Sequence, residues 1–293
     1  MAKACGKIIL FGEHAVVYNM PGIALPILNY FTNVTSYKSE LFTCCNDRVL
    51  YDFEKEKLNK LIEFIFKELK LDQKIHLHIE SSLPISSGLG SSASLSIALI
   101  RELHNFYNLN LTKKQINKLA YKCEKIFHGT PSGIDNTVIN YEQPVFFQDK
   151  TNFIKLNKPL DFVIASTGNR PDTKEIVQEV RKKYEENKNK YQNIIEDIGL
   201  IAMKAKKSLE LGNLEKIGSL MNQNHELLKE LGVSSAKLNL FCEICRQNGA
   251  YGAKLSGAGK GGNMIALVDG KTKEKIIEEL SILSNNVFYT RVI

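Results

Sequence analysis

The sequence predicts an α+β fold divided into two lobes, and three observations support this. Its 293 residues are enough for one large domain or two medium ones. Strand-like and helix-like segments follow one another along the chain without an internal repeat. A polar stretch over residues 148–159 is the best candidate for a boundary. We therefore predict an N-terminal lobe of residues 1–155 and a C-terminal lobe of residues 156–293.

The elements of the N-terminal lobe follow from two periodicities. Short continuous or alternating apolar runs predict strands, whereas apolar residues three and four apart predict helices. Thr112-Lys-Lys-Gln115 forms a capping box, which predicts that a helix begins there. The predicted order is a strand at 7–11, a Gly12-Glu13-His14 turn, β-like sequence to about 39, a helix at 57–71, a strand at 75–79, a helix at about 92–107 and the helix from Thr112.

The C-terminal lobe is predicted to contain more helix. Asp172-Thr-Lys-Glu175 is typical of a helix N-terminus. Gly232 and Gly249 are typical of residues that end helices. The predicted order is a strand at 162–165, helical segments up to Gly212, at 213–232 and at 235–249, strands at 253–256 and 263–268, a helix at 272–283 and a strand at 287–292.

Composition and charge argue against several classes of protein. A hydrophobic content of 43% and a charged content of 24% are those of an ordinary globular protein. The net charge of +7 comes largely from lysines in mixed-sign stretches such as 181–190, which favours solvated helix faces over a nucleic-acid groove. No apolar run approaches the length of a membrane span, and no signal-peptide pattern precedes the cysteines. We expect a cytoplasmic protein with reduced thiols and no nucleic-acid or membrane partner; a homodimer is left open.

Residues 84–93, Pro-Ile-Ser-Ser-Gly-Leu-Gly-Ser-Ser-Ala, are the most informative stretch. This loop leads directly into an apolar helical pattern, so backbone N–H groups and hydroxyls converge at a helix N-terminus. The positive end of the helix dipole also favours an anion there. The residue order is neither a Walker A loop nor a Gly-x-Gly-x-x-Gly turn. The pattern indicates phosphate binding, and a small-residue turn capped by Ser91 is the alternative.

Two carboxylates are expected close to this loop. Glu124 lies beside the apolar stripe of its helix, where a carboxylate needs either a lysine or a metal ion as partner. The segment 128–135, His-Gly-Thr-Pro-Ser-Gly-Ile-Asp, forms a tight turn that fixes Asp135 a short distance beyond. Near phosphates, one carboxylate can hold Mg²⁺ while the other orients or deprotonates a hydroxyl. Asp135 as a simple turn cap is the alternative.

Two further features are consistent with a phosphate site, and each also has a simpler interpretation. Lys7 begins the first strand and faces either solvent or a cleft, where its charge would stabilise a transferring phosphoryl group. Residues 257–262, Gly-Ala-Gly-Lys-Gly-Gly, form a second glycine-rich loop. Alone this loop would be a hairpin connection, but beside a phosphate it offers backbone donors.

Two residue pairs have the spacing of metal ligands, but packing explains them better. Cys242 and Cys245 share the buried stripe of a helical pattern, and Cys44-Cys45 is poorly spaced to supply a second ligand pair. His76 and His78 share one face of a strand, where a solvated or edge face is favoured over a metal site.

The motifs together resemble those of the GHMP kinases, the superfamily named for galactokinase, homoserine kinase, mevalonate kinase and phosphomevalonate kinase. Three of them occur in the order typical of that superfamily, at residues 7–17, 84–93 and 254–262. Within it, the chain most resembles the mevalonate kinase branch. The segments similar to that branch are 12–17, 128–135, 169–173, 222–228 and 231–234.

This resemblance implies a GHMP-kinase fold, with a ribosomal-protein-S5-like N-terminal lobe and a ferredoxin-like C-terminal lobe. The implied reaction is transfer of a phosphoryl group from ATP to the 5-hydroxyl of (R)-mevalonate, with Mg²⁺ as cofactor, giving 5-phosphomevalonate for isoprenoid synthesis. Two alternatives stay open. One is another kinase of the superfamily, acting on a sugar, homoserine or phosphomevalonate. The other is a ligand sensor that keeps the fold without catalysis.

The resemblance also implies roles for individual residues. Asp135 would be the catalytic carboxylate, and Lys7 would act beside the reacting hydroxyl. Glu124 and Ser92 would hold Mg²⁺, with Ser91 as the alternative to Ser92 because one residue of register exchanges them. The remaining contacts would be Lys7, Glu13, His14, Asp135 and Thr173 for mevalonate, and Pro84, Ser87, Gly88, Leu89, Gly90, Ser91, Ser92, Ala93, Gly257 and Gly259 for ATP.

Three of these positions have simpler interpretations. His14 is alternatively a core or turn histidine, and Thr173 is alternatively no more than the first residue of its helix. Lys260 stands where the family motif often has glycine. Lys260 either adds a cation near the phosphates or faces solvent, and the solvent-facing interpretation is favoured.

Overall fold

The computed structural model describes residues 1–47, 52–83, 88–128, 131–148, 151–169 and 172–293. The chain divides into two compact units. Unit 1 comprises Met1–Lys7, Leu28–Ile85 and Gly90–Glu142, and unit 2 comprises Ile8–Ile27, Ser86–Leu89 and Gln143–Ile293. The first two strands and the serine-glycine loop thus contribute residues to both units. The simpler lobe boundary at residue 155 stays a prediction.

Strands and helices are mixed along the chain, as an α+β fold requires. The strands are β1 (Ala2–Phe11), β2 (Gly22–Lys38), β3 (Thr43–Asn46), β4 (Ile75–Ser81), β5 (Val145–Phe147), β6 (Thr151–Phe153), β7 (Leu160–Ser166), β8 (Gly252–Ser256), β9 (Asn263–Val268) and β10 (Val287–Val292). The helices are α1 (Asp52–Leu69), α2 (Ser91–Phe106), α3 (Lys113–His128), α4 (Ile134–Tyr141), α5 (Thr173–Glu186), α6 (Lys188–Leu211), α7 (Leu214–Glu230), α8 (Ala236–Gln247) and α9 (Lys273–Ser281), with a 3₁₀ turn at Ala15–Tyr18.

Unit 1 is built on the pairing of β2, β4 and β3. The second half of β2 runs antiparallel to β4, and β3 runs parallel to β4. Alternate residues of β4, namely Ile75, Leu77 and Ile79, are buried, because successive side chains of a strand point to opposite faces. Helices α1, α2 and α3 contact one another, and α4 packs on α2 and α3. This arrangement places the start of α2 and the start of α4 in the same unit.

The capping box predicted at Thr112 is confirmed. The Gln115 backbone N–H donates to the Thr112 hydroxyl at 3.3 Å, and the Thr112 N–H donates to the Gln115 side chain at 2.8 Å. The helix that follows presents an apolar stripe that buries Ile116, Ala120 and Cys123. Glu124 is therefore carried on a helix whose start is set by local sequence and whose apolar stripe is the buried face.

Unit 2 contains a four-stranded antiparallel sheet in the order β10-β7-β9-β8. Apolar residues of this sheet pack with those of α5 to α9 into one core, in which Phe241, Cys242 and Cys245 of α8 are fully buried. The packing interpretation of the two cysteines is thus confirmed, and all six cysteines are free thiols. Full burial of each large apolar side chain stabilises the fold by roughly 1.5–3 kcal/mol.

Helix caps in unit 2 follow the sequence closely. Asp172, Asn213 and Ser235 each accept a hydrogen bond from a backbone N–H in the first turn of the following helix. These bonds satisfy donors that the helix itself cannot pair. Within the described residues, no helix has the length and apolar character needed to cross a membrane.

Candidate active site

An ion pair joins β1 to α4 inside unit 1. Lys7 Nζ lies 3.0 Å from Asp135 Oδ2, and the lysine side chain is only 3% exposed while the aspartate is 29% exposed. Lys7 therefore does not face solvent. A buried ammonium is costly unless it is paired, so Asp135 stabilises Lys7 in this position. Asp135 lies in the first turn of α4, which begins after Gly133.

A second polar pair joins α2 to α3. The Ser92 hydroxyl donates a hydrogen bond to Glu124 Oε2 at 3.2 Å, and Glu124 is 2% exposed. Burial raises the pKa of Glu124 to about 8, and the nearby charge of Asp135 adds to the rise. The Ser92 hydrogen bond and the Lys7 charge oppose it. Four side chains that the sequence separates thus form one electrostatic cluster, composed of Lys7, Ser92, Glu124 and Asp135.

Gly90 determines how the helix α2 begins. It is the N-cap residue, with φ of 77°, and Ser91 is the first helical residue. The alternative in which Ser91 caps the helix is wrong, since no side chain caps it. A Cβ atom at Gly90 would lie 2.8 Å from Lys7 Cγ and 2.9 Å from Ile139 Cδ1. Only glycine permits both this left-handed backbone and the close passage of Lys7.

The N-terminus of α2 has the features of an anion site. The first backbone N–H groups of a helix have no partner within the helix, and its dipole favours negative charge there. Ser91 and Ser92 begin this helix, and Ala93 behind them is buried. Pro84 and Ser87, the other loop residues predicted to contact ATP, lie outside the described residues.

A tight turn in unit 2 carries Glu13 and His14. The Ala15 N–H donates to the Glu13 carbonyl oxygen at 2.7 Å, and His14 between them has φ of 61° and ψ of −38°. A hydrogen bond across one residue with positive φ is the rare form of the γ-turn. Such a backbone costs on the order of 1–3 kcal/mol and persists only where neighbouring groups hold it.

His14 is buried in a defined protonation state. Its Nε2 lies 2.8 Å from the carbonyl oxygen of Ala258, so Nε2 carries the donated hydrogen. Burial lowers the pKa of His14, and the Ala258 bond opposes this only in part. The neutral ring leaves Nδ1 as a buried acceptor, and no partner for it occurs among the described residues. The ring can therefore accept a hydrogen bond from a bound hydroxyl.

Glu13 is paired with Lys254 of β8, a residue that the sequence analysis did not assign to the site. Lys254 Nζ donates to Glu13 Oε1 and also to the Leu255 carbonyl oxygen, the latter at 2.7 Å. Both side chains are fully buried. The available signal was a lysine inside a strand whose other residues are small or apolar, since such a lysine requires a buried partner.

The second glycine-rich loop lies beside part of the first loop within unit 2. A Cβ atom at Gly257 would lie 3.9 Å from the Cα atom of Gly88. Leu89 is buried, and at Gly259 a Cβ atom would clash with the Val233 carbonyl oxygen at 2.1 Å. The structure thus brings Gly88 and Gly257 together, as the resemblance implied for two loops at one phosphate site.

Three other predicted features have simple surroundings. Thr173 is the exposed first residue of α5, after its cap Asp172. Lys260 is paired with Glu179 on the exposed side of α5, which agrees with the favoured solvent-facing interpretation. His78 of β4 pairs at 2.6 Å with Asp47, which follows the edge strand β3.

Comparison with known proteins bears directly on this site. The family model described as the GHMP kinases N terminal domain matches residues 56–142, and the model described as GHMP kinases C terminal matches residues 205–285. The chain belongs to the GHMP kinase family. The N-terminal match contains Ser92, Glu124 and Asp135 of the unit 1 cluster.

Relatives of this GHMP kinase are similar over its whole length. The mevalonate kinase of Pyrococcus abyssi is 34% identical, with 100% of this chain and 95% of that protein covered. The mevalonate kinase of Methanocaldococcus jannaschii is 33% identical, with 98% and 97% covered. The crystal structure of L. major mevalonate kinase in complex with R-mevalonate matches with a TM-score of 0.91 and 29% identity, covering 99% of this chain and 94% of that one.

Proposed function

We propose that this GHMP kinase transfers the γ-phosphoryl group of ATP to the 5-hydroxyl of (R)-mevalonate and releases 5-phosphomevalonate and ADP. The observation that carries the proposal is the unit 1 cluster, in which a buried lysine–aspartate pair and a buried glutamate–serine pair accompany a helix N-terminus. The full-length similarity to mevalonate kinases supports the choice of substrate.

The chain's own groups account for most of the proposed reaction. Backbone N–H groups at the start of α2 bind phosphate oxygens, because they lack partners within the helix. Lys7 is held by Asp135 and places a positive charge where negative charge shifts between phosphate and alcohol. Asp135 orients the attacking hydroxyl and accepts its proton late, since phosphoryl transfer depends more on positioning and charge neutralisation than on a strong base.

Glu124 and Ser92 fit a magnesium ion. A carboxylate and a hydroxyl are the hard oxygen ligands that Mg²⁺ prefers, and Ser92 rather than Ser91 contacts the carboxylate. When bound, the ion would neutralise charge on the β- and γ-phosphates. The raised pKa of Glu124 agrees with such a role, because a cation would offset the cost of its buried charge.

The remaining contacts are proposed for unit 2. His14 accepts a hydrogen bond from a mevalonate hydroxyl at Nδ1, and Glu13 and Thr173 complete the mevalonate contacts. Gly88 and Gly257 offer backbone N–H groups to ATP, as do Leu89 and Gly259 in the adjacent loop positions. Cytoplasmic location and a homodimeric state stay predictions.

The decisive experiment is ADP release with mevalonate, compared with release with galactose, homoserine and phosphomevalonate. We expect turnover with mevalonate alone. Preference for another of these alcohols would mean that it, rather than mevalonate, is the substrate. Absence of ADP release with all four would favour a ligand sensor that keeps the fold without catalysis. In parallel, Asp135→Ala should abolish turnover while ATP still binds, whereas nearly full activity of this variant would overturn the role given to Asp135.

A further inference from the structure

Lys254 combines features that packing alone does not require. It lies in β8, where all five residues are buried, and its ammonium group reaches Glu13, which is 241 positions away in sequence. Burial lowers the pKa of Lys254, and the charge and hydrogen bond of Glu13 oppose that fall. A fully buried ion pair is often no more stable than an apolar replacement. Its presence at this position therefore calls for a reason other than stability.

The position of Glu13 supplies that reason. Glu13 immediately precedes His14, and its carbonyl oxygen accepts the hydrogen bond that closes the γ-turn. Within the part of the chain that the structure describes, long-range attachments of this turn include the Lys254 bond to the Glu13 side chain and the His14 bond to Ala258. Lys254 and Ala258 both belong to the segment that includes β8 and the second glycine-rich loop. One segment thus holds the strained turn from two directions.

Charge adds a second argument. Mevalonate carries a carboxylate, and an uncompensated buried glutamate next to a bound anion would repel it. Lys254 neutralises Glu13 at a point where both side chains are fully buried and solvent screens little. A substrate with a negative charge and hydroxyl groups can then approach the acceptor Nδ1 of His14 without that penalty.

We infer that Lys254 is a positioning residue for mevalonate binding, which acts through Glu13 to hold the γ-turn and to cancel the charge beside the substrate. The inference rests on the proposed function and deepens it by adding a residue to the mevalonate subsite. Lys254 touches neither the reacting hydroxyl nor the phosphates in this scheme. Its removal should therefore change mevalonate affinity far more than the rate of the chemical step.

The test uses Lys254→Met, Glu13→Gln and the double variant in the full chain, with KM for mevalonate, KM for ATP and kcat measured separately. Lys254→Met should raise KM for mevalonate by about tenfold or more, with KM for ATP and kcat changed less than about threefold. When Glu13→Gln is already present, Lys254→Met should raise KM for mevalonate by less than about a further twofold, because the effects of residues that act through one another are not additive. Lys260→Met, in the same loop region but paired with exposed Glu179, is the matched control and should leave all three constants unchanged.

Each result has a distinct meaning. An unchanged KM for mevalonate in Lys254→Met would overturn the inference. A double variant whose rise in KM equals the product of the two single-variant rises would also overturn it, because the two residues would then act independently. If Lys254 had only a structural role, Lys254→Met would lower the thermal midpoint and the fraction of active enzyme without changing KM for mevalonate, and this result would also overturn the inference. If Lys254→Met does not fold, the double variant, which retains neither charge of the buried pair, still decides the question through its KM for mevalonate compared with that of the wild type. Failure of the wild-type chain to use mevalonate would instead overturn the proposed function.

Discussion

Acidification should destabilise this kinase through His225, which is buried in α7 and only 1% exposed. Its Nε2 lies 3.1 Å from Asn239 Oδ1, and its Nδ1 accepts the Leu255 N–H at 3.3 Å. The neutral ring with hydrogen on Nε2 satisfies both contacts. A proton on Nδ1 would break the hydrogen bond from the Leu255 N–H. It would also place a second positive charge near Lys254, the β8 residue that is paired with Glu13.

The magnitude follows from the pKa of His225. Burial, and next the charges of Lys254 and Arg246, lower this pKa from 6.5 to about 4. The folded state therefore binds fewer protons than the unfolded state between these values, so stability is complete above about pH 6.5 and falls as the pH drops towards 4. The pKa difference of about 2.5 units, at about 1.4 kcal/mol per unit, corresponds to a loss of at most about 3.5 kcal/mol once the pH is well below 4.

The assay is urea unfolding of the wild-type chain and of His225→Asn at several pH values from about 7.5 to 4.5. Asparagine offers an oxygen near the position of Nδ1 but does not titrate in this range. The free energy of unfolding of the wild type should fall more steeply with acid than that of the variant, by up to about 3 kcal/mol. His14 acts in the same direction in both chains, so their difference isolates His225. Parallel pH profiles would refute the reasoning.

Three further changes test other parts of the site. Gly90→Ala should lower the free energy of unfolding by at least about 1–2 kcal/mol in urea melts, because the φ of Gly90 is 77° and a Cβ atom there would clash with Lys7. Gly270→Ala, which has open space around it, is the control and should not lower it. Equal effects of the two variants would contradict this reasoning. Glu124→Gln should raise the Mg²⁺ concentration required for half-maximal ADP release by about tenfold or more, and an unchanged requirement would remove Glu124 from the proposed metal site. Lys260→Met should alter the free energy of unfolding by less than about 1 kcal/mol, since its ion pair is exposed, and a larger loss would show that the pair is structural.

The positions of most elements were predictable, since they depend on local rules. The strands at 263–268 and 287–292 occur as predicted, and Thr112, Asp172 and Ser235 begin helices through bonds to residues two or three positions along the chain. Some boundaries were less accurate: the first strand begins at Ala2 rather than at residue 7, and the first helix at Asp52 rather than at residue 57. Strands β3, β5 and β6 and helix α4 were not predicted, because short segments carry little periodicity.

The sequence by itself determined the serine-glycine loop before a helix, the carboxylate beside an apolar stripe and the resemblance to GHMP kinases, since each depends on residues close together in the chain. Only the tertiary structure decided which buried charge meets which partner. Lys7 pairs with Asp135, and Lys254 pairs with Glu13, through strands and helices far apart in sequence. A buried charge needs a partner wherever the fold can supply one, and no local pattern specifies that partner.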